Sequence, residues 1–421
     1  PALFVSGGGH MCLHSAHLSG ATINWKEILV RPMKSAPCGW DAFKGMCTIK
    51  TYHRRRESDK RVRGKGTSPL NMKLRTRLRT RLRTRWTAAA LVAGALLTPT
   101  LAQAQSPLAP GVTVDFRESM RQLVQAVSAY GRSLNPNFVI VAENGLDLIT
   151  KPDPQDDTLL FPARTFIRSI DAVLQPNLIK TLQSGDPKED PAITAARTRL
   201  ADNAKTAKSL GVDVFNLEFA TKAKDIDRLY AASAKQGFTP FIATSPVWGD
   251  IPTYPRSAFN ANPTSLRDAT QAKNYLYIAH SQGFGVTRDF VQAMSDTNHD
   301  IIITSVFHGR VPLSKLDVER LKYKKLGARR LVLAEVDISS AATYDYFWQP
   351  GWGQGSPAFI NMAIREDPDR YRTLYWDPAW QSVLIGGTAS YLYGVLDLGF
   401  DGVVLKGVDG WRYFESGGEE G

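Results

Sequence analysis

From about residue 115 onward, short apolar, β-branched runs alternate with longer stretches whose apolar positions recur every three or four residues. The runs cover Phe138–Ala142, Ser169–Leu174, Val212–Phe219, Thr239–Thr244, Tyr275–His280, Asp300–Phe307, Arg330–Ser339 and Gly402–Val408. Continuous apolar runs of this length suit parallel strands buried on both faces. Between them, residues 192–211, 221–237 and 312–327 read as amphipathic helices, each ending at a glycine with lysines nearby. Eight strands with intervening helices predict an α/β fold, a single (β/α)8 barrel of the TIM type over 105–421. An open doubly wound sheet is the alternative, but no glycine-rich phosphate loop follows any strand.

Two connections break the rhythm. Residues 246–271, after the fourth strand, are too rich in Pro and Asn for a standard crossover helix, and residues 344–380 follow the seventh strand. Loops that follow strands build the active face of a barrel, so these two are the expected cleft walls.

The basic character of the chain belongs to its first segment. Nineteen of the 52 Lys and Arg but only four of the 40 Asp and Glu precede Gln105, which leaves a body carrying −3. That body gives no electrostatic argument for nucleic acid. From Met72 the chain reads MKLRTRLRTRLRTR, then an apolar stretch ending in Ala-Gln-Ala at Ala104. This pattern predicts a signal peptide over 72–104 and a secreted or periplasmic body, with no membrane contact after cleavage. The alternative is a basic amphipathic surface helix. Residues 1–71 lack hydrophobic periodicity and are expected to be a disordered, over-extended start; the alternative is a basic nucleic-acid-binding arm. Cys12, Cys38 and Cys47 all precede Met72, so the body must be held by an ordinary core without disulfides.

Several segments together resemble glycoside hydrolase family 114, the endo-α-1,4-polygalactosaminidase-like group whose bacterial members also carry a cysteinyl-tRNA synthetase-related label. They are NPNFVIVAENGLDLI at 135–149, IPTYPRSAFNAN at 251–262, LKYKKLGARRLVLAEVDISSAATYDYFW at 321–348, YWDPAWQ at 375–381 and GFDGVVLKGVDGWRYF at 399–414. The resemblance covers nearly the whole body. It implies a barrel circularly rearranged relative to fungal relatives, and a monomer acting on an amino-sugar-containing polysaccharide. It also implies glycosidic hydrolysis by a pair of carboxyl groups, one protonating the leaving oxygen and the other acting as nucleophile or activating water.

Carried over residue by residue, the family's acid/base falls on Glu218, in FNLEFA at the end of a strand. A salt-bridged structural carboxylate is the other reading of that position. In the pattern GFDGV-x-LD-x-VDAY, Asp401 and Asp409 are retained but Lys406 replaces the expected nucleophile. The family's SIGEAE becomes DISSAA at 337–342, so Ser340 and Ala342 stand where glutamates are expected, and Thr304 stands for a strand-end aspartate. Relatives read roughly REDLFY where this chain has QPNLIK at 175–180.

Glu335 and Asp337, two apart on a strand, place their side chains on one face about 7 Å apart. They either rebuild a carboxylate site or neutralise Lys406 in an ion-paired cleft. Tyr344, Trp348 and Trp352 offer flat rings for sugar stacking, and Trp376 and Trp380, four apart, suit one face of a helix. Asn144 matches the family's asparagine and is expected to donate to a sugar hydroxyl, with a turn residue in Asn-Gly as the alternative. Asp401, Lys406 and Asp409 join the expected substrate-binding set. His280, His299 and His308 lack zinc-motif spacing, and no Gly-x-Ser-x-Gly elbow occurs, so neither metal nor cofactor is expected. An exported glycosidase and a catalytically inert polysaccharide-binding or assembly barrel of the same ancestry both fit.

Overall fold

The computed structural model describes residues 114–184 and 189–418. The expectations for 1–71 and 72–104 lie outside the described residues. Eight strands form one all-parallel sheet: β1 (Val139–Glu143), β2 (Ala172–Pro176), β3 (Asp213–Phe219), β4 (Thr239–Ala243), β5 (Tyr275–Ile278), β6 (Ile301–Thr304), β7 (Leu331–Asp337) and β8 (Gly402–Lys406). Except between β4 and β5, each strand ladders to its neighbours in chain order, and β8 ladders back to β1. The sheet therefore curls into a TIM-like barrel that is closed everywhere except between β4 and β5. Across that gap the rings of Phe241 and Tyr275 meet at 5.6 Å, and Phe215 stacks on Tyr275 at 5.1 Å. Aromatic packing closes the wall where backbone pairing does not.

Strand composition explains the curl. Every residue of β1, β5 and β6 is buried, because the barrel interior lies on one face and the helices on the other. The interior tolerates little bulk beside β8. A Cβ at Gly402 would lie 2.3 Å from the Val139 carbonyl oxygen and 2.9 Å from Leu333, so this position requires glycine.

The outer layer holds α1 (Phe116–Leu134), α2 (Arg164–Ser169), α3 (Leu178–Gln183), α4 (Pro191–Ser209), α5 (Ala223–Lys235), α6 (Thr287–Ser295), α7 (Lys315–Leu321), α8 (Pro378–Leu384), α9 (Tyr391–Asp397) and α10 (Trp411–Glu415). Helix α1 starts at Asp115, whose side chain accepts from the Glu118 N–H, and buries Met120, Leu123, Val124 and Val127 along one stripe. Among the described residues no helix is long and apolar enough to cross a membrane.

As the Pro- and Asn-rich sequence predicts, no α-helix links β4 to β5, where a long irregular segment carries one 3-10 turn at Ala269–Gln271. One departure from the sequence reading concerns a helix end. Helix α7 stops at Leu321 rather than near residue 327, because the chain turns back there through a bridge between Tyr323 and Arg329. The β7–β8 connection contains an antiparallel sheet of Ser340–Ala342, Ile360–Ile364 and Asp367–Thr373 before α8 and α9.

Candidate active site at the barrel mouth

Register decides which strand-end side chains enter the barrel, since parallel partners point to the same side and the side alternates along each strand. Phe215 stacks on Tyr275 inside the barrel and pairs with Leu174, which pairs with Glu143. Glu143 therefore points inward. The pairs Val141–Val404, Glu335–Val404 and Asp337–Lys406 carry the same face round to β7 and β8. Glu143, Glu335, Asp337, Lys406 and, from β5, Tyr277 thus converge at the C-terminal mouth.

Glu335 is the hub. Its Oε1 accepts from the Tyr277 hydroxyl at 2.5 Å and from the Lys406 ammonium at 3.3 Å. Burial alone would lower the Lys406 pKa, but the carboxylates of Glu335, Glu143 and Asp337 hold it above its ordinary value. Lys406 remains charged, with 26% of its side chain exposed.

Glu143 is 1% exposed. Burial pushes its pKa up to about 7; Lys406 opposes the rise, and the charges on Glu335, Asp409 and Asp337 add to it. Sequence reasoning missed this residue, although an acid ending the apolar run FVIVA is the same signal that pointed to Glu218. Tyr277 was also missed; it reads as a core aromatic until its hydroxyl is seen to reach Glu335.

Asp337 serves the loop as well as the mouth. Its Oδ1 accepts from the backbone N–H groups of Ser339 and Ser340, and its Oδ2 from the Ser340 hydroxyl at 2.6 Å. Arg370 approaches it at 3.6 Å and donates to the Tyr344 hydroxyl at 2.9 Å. Asn144 takes the left-handed conformation at φ 58°, which Asn tolerates. Its amide donates to Asp409 at 3.0 Å and its carbonyl accepts from Gln175, so it knits the rim between β1, β2 and β8. Burial raises the Asp409 pKa, with Arg412 pulling the other way.

Two of the expected acids lie elsewhere. Glu218 shares its face with Asn216, which donates to Ser233 of α5, so it points outward to the helices. Its Oε1 accepts from the N–H groups of Ile179 and Lys180 at 2.7 and 3.2 Å, capping the first turn of α3. Burial raises the Glu218 pKa, and the Lys180 and Ile179 N–H groups with the Lys180 ammonium offset part of that rise. Glu218→Ala leaves those donors unmet and is expected to cost about 1–3 kcal/mol. Activity should stay within threefold (about 0.7 kcal/mol). Denaturant melts beside turnover assays check both.

Asp401 precedes β8 and lies about 16 Å from Lys406 along the strand, at the opposite end of the barrel. There it accepts from the Val332 N–H and pairs with Arg329 at 3.2 Å and Lys322 at 3.5 Å, beside a cavity of about 420 Å³. It is a structural acid of the N-terminal face.

Of the aromatic candidates, Tyr344 is half exposed and bonds Asp367 at 2.6 Å. Trp348 and Trp352 instead pack inward, on Tyr371 and Phe359. Tyr346 is the exposed ring beside Tyr391, whose hydroxyl feels the charges of Asp345, Glu335 and Asp337. Trp380 lies in α8 and donates to the Ile338 carbonyl, whereas Trp376 precedes that helix and packs on Phe116 and Phe414. His299 precedes β6, where burial pushes its pKa down to about 3, while His308 follows that strand. These two histidines sit at opposite ends of the strand.

No family model matches the chain. Three curated proteins are similar to parts of it. An uncharacterized protein of Deinococcus radiodurans is 27% identical over 168 residues, covering 39% of this chain and 50% of that protein. An uncharacterized protein of Methanocaldococcus jannaschii is 26% identical over 129 residues, covering 30% and 36%. One of Thermotoga maritima is 29% identical over 86 residues, covering 20% and 25%. The chain spans half or less of the length of the curated relatives it matches.

Proposed function

We propose that the protein is a secreted, monomeric glycoside hydrolase-like barrel that cleaves glycosidic bonds in an amino-sugar-containing, galactosamine-bearing exopolysaccharide. The observation that carries this reading is the pairing at the mouth of two differently held carboxyl groups. Glu143 is kept protonated toward neutral pH, and Glu335 is held by the Tyr277 hydroxyl and the Lys406 ammonium. Environments that set two acids apart in this way divide the work of glycosidic cleavage. Glu143 protonates the leaving oxygen. Glu335 supplies the negative charge that faces the oxocarbenium-like centre. Its pairing with Lys406 balances the cation that the resemblance finds at the nucleophile's position. Exposed Tyr344 and Tyr346 line the rim for stacking against pyranose rings. In this reading, helix α1 ahead of β1 reflects a barrel opened at a different point from the fungal relatives.

A second reading, an inert polysaccharide-binding or assembly barrel, is favoured by the ion pair that occupies Glu335 and by the near-complete burial of Glu143. Incubation with partially de-N-acetylated galactosaminogalactan separates the two. Release of reducing ends that is lost in Glu335→Gln supports the hydrolase. Co-sedimentation with the polymer without release supports the inert barrel, and neither result refutes both.

A further inference from the structure

The Tyr277 hydroxyl that holds Glu335 hangs from β5, the strand least secured by backbone pairing. β5 ladders only to β6, and its other edge faces the gap toward β4. Near the mouth that edge is met by Trp248, from the long β4–β5 connection. The Trp248 carbonyl accepts from the Ala279 N–H at 2.9 Å and the His280 N–H at 3.5 Å, standing in for the missing neighbour strand. The indole stacks on the Tyr277 ring, with centroids 5.2 Å apart and planes at 30°. Trp248 is only 7% exposed, and it holds a left-handed backbone at φ 48°, a costly conformation for a bulky side chain. The next residue must be small, because a Cβ on Gly249 would lie 2.9 Å from the His280 carbonyl oxygen. A strained residue is thus pressed against Tyr277, the β5 side chain that bonds Glu335.

We propose that Trp248 is a positioning residue for the mouth: it fixes Tyr277, and through the Tyr277 hydroxyl it fixes Glu335, a carboxylate it does not itself touch. This inference rests on the hydrolase reading for its catalytic consequence, but not for the contact itself. The β4–β5 connection then sets the geometry of Glu335 from the far side of the barrel. The effect falls on the reacting geometry and leaves polymer affinity nearly unchanged.

The test is a double-variant cycle on the full chain with two readouts. Trp248→Ala and Tyr277→Phe are each expected to lower kcat on de-N-acetylated galactosaminogalactan about tenfold (about 1.4 kcal/mol), with KM within twofold. The double variant should be no worse than Tyr277→Phe alone, because both remove one linkage. Trp248→Phe retains a stacking ring and is expected to keep most of the turnover, which separates positioning from a folding defect. Independently of any turnover, proton NMR should show a downfield, slowly exchanging Tyr277 hydroxyl signal, identified by its absence in Tyr277→Phe. That signal should persist in Trp248→Phe and vanish in Trp248→Ala. Multiplicative losses in the double variant, or an unchanged hydroxyl signal in folded Trp248→Ala, overturn the proposal. A wild-type chain without hydrolysis defeats the hydrolase reading alone, and the NMR comparison still decides the role of Trp248.

Discussion

Glu143→Gln is expected to lower kcat/KM by about 10²–10⁴, the usual reach of a positioned general acid, while making the fold more stable in alkaline solution. Both effects come from one proton. In the wild type the acid must be protonated to act, so kcat/KM should fall as pH rises through about 7, the value to which burial pushes Glu143. The same proton links pH to stability. Below the ordinary carboxyl value of 4.5 the group is protonated in the folded and unfolded chain alike, and nothing is lost. Between 4.5 and about 7 the unfolded chain releases a proton that the folded chain retains, so folding is progressively disfavoured. Above that range the deficit levels at about 3 kcal/mol. Glutamine never ionises and escapes the deficit. Urea midpoints at pH 5 and pH 8 should therefore diverge between wild type and variant, the variant being the more stable at pH 8. Equal midpoints at both pH values would show that Glu143 is not held neutral, and would remove the general acid from the mouth.

The strands were legible because a barrel strand is buried on both faces, which imposes an apolar run with no alternation to misread. All eight runs became strands of the sheet. Helix ends were harder. The pattern after Leu321 continues with helical spacing, but Lys322–Arg330 leaves the helix to form the turn that carries Lys324 into the interior.

The site was legible where it depended on spacing along one strand. Glu335 and Asp337 do share the inward face of β7, and Lys406 does stand beside Glu335. It was not legible where it depended on register between strands. Glu218 and Glu143 both end apolar runs, and nothing in either run says which acid faces the barrel. That choice is set by parity, counted from Phe215 against Tyr275 on one side and from Asn216 against Ser233 on the other. A shift of one residue exchanges the two roles. Resemblance carried the acid/base onto Glu218, and the ladder placed that side chain over α3.

Asp300→Ala is expected to destabilise the protein by about 3–5 kcal/mol, because it strands a buried ammonium. Lys324 and Asp300 are both fully buried, and their charged atoms lie 2.5 Å apart. Lys324 also donates to the carbonyls of Thr264 and Asn262, while Asp300 accepts from the Asn262 amide and the Lys273 N–H. Three of those partners belong to the β4–β5 connection, so this pair anchors the segment that lacks both a helix and a strand ladder. A fall in Tm of roughly 5–8 °C follows for a domain of this size. Limited proteolysis should open 246–271 first, since the anchor is lost before the barrel strands are. The paired replacement Asp300→Leu with Lys324→Met removes both charges and should recover much of the loss. It cannot recover all of it, because the Lys273 N–H then lacks its acceptor, a deficit of about 1–3 kcal/mol. A single Asp300→Ala variant that melts within 2 °C (about 1 kcal/mol or less) of wild type would mean that Lys324 reaches water. The long connection, and Trp248 with it, would then need another anchor. The expected result ties the lower face of the barrel to its mouth, because the segment held below by Asp300 is the one that presses Trp248 onto Tyr277 above.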